Sequence, residues 1–322
     1  MQKSKERTVS FYDLVLSAHT YGKKLDLPPL PLLNFLKRIQ AWHVAGKCPQ
    51  WGRKSAETVY LADIKVNASN TLVELLVNRS DRDASDTVYS NPVGNTVRRL
   101  PKVAGEGSDF SAHVVMNLVP QGNSYKVVLE LAPGLPSGKI QHFLNYLIGF
   151  CIREDKAAHH VPDPSGALSP AGTPLTVLAY HKAELRGHPS LDFLNSINGG
   201  TLESIELVDK RKRNLSWDSN GHMKEVSRTI NLRVGPKANA PNFRRIKEAA
   251  IIAHQQNYSS AKVRFKTPDG IMSTVTFDTQ STQLANDVIY VKKERISGFS
   301  LPLEASYASL NSEIVKKMVR LL

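Results

Sequence analysis

The chain has 322 residues, with 42 Lys and Arg against 29 Asp and Glu, a formal net charge of +13 with histidine neutral. That length suits two ordinary domains or one large one, and a 41% hydrophobic, 22% charged composition excludes wholesale disorder. Two cysteines, Cys48 and Cys151, exclude a disulfide framework or a four-cysteine zinc ribbon. No apolar run reaches the ~18–20 residues of a membrane span, and MQKSKERTVSFYDLV holds no signal-peptide core, so the expectation is a cytoplasmic protein.

In chain order, Thr8–Leu16 is enriched in β-branched and aromatic residues and reads as a first strand. Leu30–Val44 sets Leu32, Leu33, Leu36 and Ile39 along a helical stripe, with Pro31 where the helix starts. Thr58–Val66 and Thr71–Asn78 alternate around Asn67–Asn70 as a β-hairpin. Ala112–Val119 and Tyr125–Leu131 form a second hairpin around Gln121-Gly122-Asn123. Lys139–Arg153 carries Ile140, Phe143, Leu144, Leu147 and Ile148 at the i, i+3, i+4, i+7, i+8 spacing of an amphipathic helix. Residues 156–174 hold four prolines and two glycines and read as a linker between an N-terminal region, 1–155, and a C-terminal region, 175–322.

The C-terminal region reads as strand Leu175–His181, helix Pro189–Ile197, strand Ser204–Lys210, strand Arg228–Val234, helix Asn242–Gln256, then strands Lys262–Thr267, Met272–Phe277 and Val288–Val291. A closing helix is expected over Glu304–Leu321. Strands interleaved with helices, some neighbours being hairpins, indicate an α+β fold in both regions: a mixed or mostly antiparallel sheet with helices packed on one face.

The charge is uneven. Asp209–Lys247 holds eleven cations, Lys210, Arg211, Lys212, Arg213, Lys224, Arg228, Arg233, Lys237, Arg244, Arg245 and Lys247, against three acids, a local excess of +8. Such a segment suits a polyanion, because neutralised phosphates release counterions whatever their base sequence. These eleven residues, with Trp217 as a stacking side chain, form the expected nucleic-acid contact set. Arg244, Arg245 and Lys247 crowd the first turn of a helix, where cations oppose the macrodipole, an arrangement explained if they meet phosphates.

Chemistry beyond binding finds little anchor. His159-His160 and the pair His181 and His188 lack ligand partners at zinc-site spacing, Gly105-Glu106-Gly107 lacks a third glycine, and no GxxxxGK[ST] or GxSxG occurs. No cofactor is expected. A nuclease is the enzymatic alternative: Asp163 and the Glu154-Asp155-Lys156 trio have the residue types of a metal site. His181, His188, His222 or His254 could serve as a general base. Cys151, flanked by Phe150 and Ile152, reads as a buried structural thiol.

The stretch Ser111–Gly149, ending in KVVLELAPGLPSGKIQHFLNYLIG, followed by PSLDFLNSINGGTLESIELV, a basic segment, a helix, a hairpin and a final helix, resembles the RexA-type phage-exclusion proteins. The resemblance spans most of the chain in architecture and implies a cytoplasmic, dimeric DNA-binding sensor in phage defence, paired with a membrane or other effector protein. It supplies no catalytic residue, and this chain has the longer N-terminal region and linker. The reading leans to a non-enzymatic, largely sequence-independent binder of double-stranded DNA, with RNA possible, that acts as a sensor or adaptor. The other alternative is a protein–protein adaptor with an acidic partner.

Overall fold

The computed structural model describes residues 4–20, 25–52, 55–209, 220, 222–223, 227–233, 235, 240–279 and 290–322. The chain forms two compact units, one of Met1–Leu185 with Glu294–Leu322, the other of Arg186–Lys293. Both are α+β.

The first unit is built on β1 (Glu6–Thr20), a fifteen-residue strand buried along both faces. Around it lie β2 (Asp26–Leu27), α1 (Leu32–Val44), β3 (Glu57–Val66), β4 (Leu72–Asp81), β5 (Thr87–Asn91), β6 (Thr96–Leu100), β7 (Ser108–Asn117), β8 (Ser124–Glu130) and α2 (Ser137–Glu154). Then come β9 (His160–Pro162) and β10 (Thr176–Gly187). The main sheet runs β3-β4-β7-β8-β1-β10-β9, with β2 beside β1. Both expected hairpins form in antiparallel register, Val66 opposite Val73 and Met116 opposite Val127. The first turn closes because Asn67 Oδ1 accepts the N–H groups of Thr71 and Leu72, with Asn70 at φ 57°.

The residues 156–174 do not separate two domains. Val161 of β9 pairs with Val177 of β10, and Asp163 and Leu175 join across the intervening loop, so the prolines and glycines shape a hairpin excursion within the first unit. Proline and glycine mark turns, and composition alone does not tell a turn that pairs from a tether that does not.

The chain's end also returns to the first unit. β15 (Lys293–Ser297) pairs with β1, and α5 (Ser312–Val319) is shorter than the helix expected over Glu304–Leu321. Asn311 caps α5 by accepting the N–H groups of Glu313 and Ile314. Ile314, Val315 and Met318 pack on Val9, Phe11, Val115 and Val128. Alternate residues of the same strands, such as Val127 and Leu129, turn to the opposite face, where Tyr125 OH accepts the first N–H of α1, from Leu32.

Two polar clusters, one buried and one half-buried, fasten the terminal segment. Arg7 and Glu130 form an ion pair at 2.8 Å with both side chains at most 2% exposed. His113 Nδ1 lies 2.6 Å from the other Glu130 oxygen, and His113 Nε2 accepts the N–H of Asn311. The imidazole therefore carries its proton on Nδ1 and donates it to Glu130. Arg7 also donates to the carbonyl of Glu304. In the second cluster, Asp109 accepts from Tyr60, Asn78 and Ser306, while Tyr307 N donates to Ser111. Burial pushes the Asp109 carboxyl above its ordinary range and outweighs the opposing pull of these hydrogen bonds. A bulge between Leu61 and Asp63 of β3 turns Asp63 to accept from Leu310 N.

The second unit contains α3 (Leu191–Gly199), β11 (Thr201–Asp209), β12 (Arg228–Arg233), α4 (Asn242–Gln255), β13 (Ser260–Lys266) and β14 (Met272–Asp278). Its four strands form an antiparallel sheet in the order β12-β11-β13-β14. Phe193 of α3 and Phe243 of α4 both pack on Phe277, which places the two helices on one face. Gly200 follows α3 because any side chain there would collide with the Lys266 carbonyl. Of the strand expected at Val288–Val291, residues 288 and 289 lie outside the described residues, and Val291 makes a single bridge to Pro189.

Glu130→Ala leaves the Arg7 guanidinium and the His113 imidazole buried without their acceptor; a loss of about 3–5 kcal/mol in urea unfolding is expected. A second prediction concerns pH. His181, buried against Phe35, accepts the Leu30 N–H through Nε2, and burial holds its pKa down at about 4. Burial lowers the neighbouring His159 as well. The unfolded chain takes up these protons first, so stability is complete above about pH 6.5 and declines as pH falls toward 4. Thermal unfolding across that window should show the slope, and His181→Gln, which can still accept from Leu30, should flatten it.

Candidate nucleic-acid interface

The second unit's sheet has two unlike faces, and the register defines both. On β13, Ala261, Val263 and Phe265 are buried, as are Val275 and Phe277 of β14 and Leu202, Ile205 and Leu207 of β11. These apolar side chains meet α3 and α4. Because strand residues alternate in direction, Lys262, Arg264 and Lys266 turn together to the opposite face. Arg264 stands across from Ser204, which on its other side pairs with Arg233 of β12. Lys262 stands across from Glu206, itself opposite Asn231, and Thr274 and Thr276 extend the same two rows on β14.

This open face thus presents Arg233, Lys262, Arg264 and Lys266 among Thr, Ser and Asn, with Glu206 in its central row, Met272 opposite Lys266, and at one end Asp278, which pairs with Arg186 at 3.1 Å. Arg233, Arg264 and Lys266 are exposed and Lys262 is half-buried. The unit's phenylalanines Phe265 and Phe277 point the other way, so the described part of this face offers cations and hydroxyl groups rather than stacking rings. Such a set suits phosphate oxygens.

The expected contact set is only partly gathered here. Arg233 lies on the open face. Arg228, opposite Asp209, belongs to the helix-covered side by the same alternation. Arg244, Arg245 and Lys247 also lie on that side, on α4, and each engages its own helix. Arg244 pairs with Glu248 at 3.0 Å, Arg245 reaches Asn242 Oδ1, and the Lys247 ammonium sits 5.1 Å from the Phe243 ring centre. The sheet separates the two groups, so Arg233 and the α4 cations cannot share one phosphate track on the open face. Lys210, Arg211, Lys212, Arg213, Trp217, Lys224 and Lys237 lie outside the described residues.

Sequence reasoning missed the β13 cations although the signal was available. A-K-V-R-F-K over Ala261–Lys266 is a strict alternation of apolar and cationic residues. It adds three cations in six residues, but a search for clustered charge stops at Lys247, beyond which Glu248 and a run of apolar and neutral residues intervene.

The residues weighed for catalysis are scattered. Asp163 accepts from Ser165 in the β9–β10 loop, and Asp155 is paired with Arg38 at 2.9 Å. The Arg38 hydrogen bond holds the Asp155 carboxyl below its ordinary range. His222 and His254 are exposed, while His181 is enclosed and already engaged through Nε2. Among the described residues, no group of three or more His, Cys, Asp or Glu is placed to hold a metal ion. Burial pushes the Cys151 thiol up to about 12 and Cys48 to about 11, so neither is a ready thiolate. Among the described residues no helix is long and apolar enough to cross a membrane.

Comparison of the chain with protein-family models, with curated proteins and with solved structures finds no match. The reading of the site therefore stands on its geometry.

The two basic faces can be told apart. Replacing Lys262, Arg264 and Lys266 together with Ser should reduce the slope of log Kobs against log[salt] for duplex DNA by roughly three units, at about 0.9 per lost phosphate contact. Replacing Arg244, Arg245 and Lys247 together should reduce it by less than about one unit. Fluorescence anisotropy over a salt series measures both.

Proposed function

We propose that the protein binds double-stranded nucleic acid, DNA foremost, largely without regard to sequence, and acts as a sensor or adaptor rather than an enzyme. The observation that carries this reading is the open face of the β12-β11-β13-β14 sheet, where one strand aligns three cations at alternate positions and a fourth stands two strands away. Strand residues two apart are separated by about 6.6–6.8 Å, twice the ~3.4 Å axial rise per phosphate along one strand of a duplex. A row of three cations at that pitch can therefore follow a backbone without reading its bases. Lys210–Arg213, four cations that follow β11 directly in sequence, lie outside the described residues. A role in phage defence, with a dimeric protein signalling to an effector partner, is drawn from the RexA-type resemblance and completes the proposal.

The test is binding of the purified full chain to unrelated 25-base-pair duplexes over a salt series, with single-stranded DNA and duplex RNA as competitors. Similar affinities for different duplex sequences and a steep salt dependence are expected. Affinity that is flat from low to moderate salt overturns the reading. Cleavage of labelled DNA or RNA in Mg²⁺ or Mn²⁺, abolished by one carboxylate or histidine substitution, would replace it with a nuclease. A complex that survives nuclease digestion and holds an acidic protein would replace it with an adaptor of that kind.

A further inference from the structure

A second feature of the molecule, in the first unit, has no place in the sheet-face reading. β5 and β6 form a two-stranded sheet of their own, absent from the expected elements, and every residue of both strands is exposed. An isolated two-stranded hairpin is marginal in water, and this one carries Val88 at 56%, Val97 at 72% and the tip residue Val93 at 98% exposure. Yet it is well built at both ends. At the tip, Asn91 Oδ1 accepts the N–H groups of Val93 and Gly94, and Asn95 turns the chain at φ 48°. At the root, Lys102 Nζ donates to the carbonyls of Arg82 and Ala84, and Lys102 N donates to Asp86. Arg99 lies 3.5 Å from Asp86. A rooted ribbon with both faces in solvent is an arm awaiting a partner.

Its chemistry selects that partner. From Thr87 to Gly105 there is no carboxylate, while Arg98, Arg99 and Lys102 are cationic. The register puts Arg98 beside Tyr89, with the guanidinium carbon 5.2 Å from the ring centre, and Arg99 beside Val88 on the other face. Asn91 and Thr96 face each other next to the tip. A second copy of the chain would bring a like-charged arm of a +13 molecule against this one, whereas a polyanion complements it.

We propose that the arm Thr87–Leu100 enters the major groove of a DNA duplex. Five residues per strand span about 16 Å, and a two-stranded ribbon fits a groove about 12 Å wide and 8.5 Å deep. Arginines can donate to guanine O6 and N7 or to the flanking phosphates, and the valines can meet thymine methyl groups. The arm would supply a modest base preference. This inference rests on the duplex-binding reading above.

The experiment compares three full-length proteins on one duplex: the parent, a variant with Val88–Arg99 replaced by a two-residue Asn-Gly turn, and Arg98→Ser with Arg99→Ser. Circular dichroism and melting should match across all three, since the arm buries nothing, and the double substitution keeps the test valid if the deletion disturbs the root. The parent should shield guanine N7 from dimethyl sulfate; both variants should lose that shield and bind about tenfold or more weakly at moderate salt. Equal affinity and unchanged methylation in the variants overturn the arm while leaving duplex binding intact. No duplex binding by the parent overturns both. A parent that sediments as a dimer and becomes monomeric on arm deletion, with DNA affinity unchanged, makes the arm a self-association device and overturns the proposal.

Discussion

The first unit depends on a carboxylate buried in the middle of its sheet. Glu130 ends β8, binds Arg7 from β1 and accepts the Nδ1–H hydrogen bond of His113 from β7. A charge at 1% exposure is tolerable only where every oxygen is engaged. Satisfying it ties three strands together, and the network then reaches outward. The imidazole's second nitrogen accepts from the N-cap residue of α5, and the guanidinium donates to Glu304. The terminal segment is thereby held against the strands by polar groups before its apolar residues Ile314 and Met318 contribute. Taking unpaired charge out of water is so costly that this arrangement specifies one docking position for α5 among the many its apolar stripe would allow.

The second unit works by a different constraint, the two-residue period of a strand. Once α3 and α4 cover the face bearing Val263, Phe265, Val275 and Phe277, the intervening residues have no choice of direction. Three cations on β13 then become a row. The same period divides the cations that composition had grouped together, sending Arg233 to one side of the sheet and Arg228 to the other. Charge density along the chain is therefore a poor guide to charge density in space here: a continuous basic segment is split, and a basic row arises where the segment has already ended.

The β5–β6 arm shows a related limit. Its strands alternate poorly, carry no buried residue and pack on no core, so the hydrophobic patterning by which strands are recognised is missing. Asn91-Pro92-Val93-Gly94-Asn95 is a turn signal in plain view, but a turn between two segments of mixed polarity reads as loop. The Pro- and Gly-rich stretch after α2 errs in the opposite sense, reading as a tether when it closes a paired hairpin.

What the sequence determined by itself was the α+β class, nearly all of the strands and helices that build the two cores, and the identity of the protein as a strongly basic one. Those properties follow from local periodicity and composition, which need no knowledge of distant residues. The tertiary structure alone decided that the last 29 residues belong to the first unit, that Glu130 sits between Arg7 and His113, and that Arg233 shares a face with the β13 cations. Each of these joins positions tens to hundreds of residues apart. They are set by the cost of burying charge and by strand register, and neither is written in any one window of the chain.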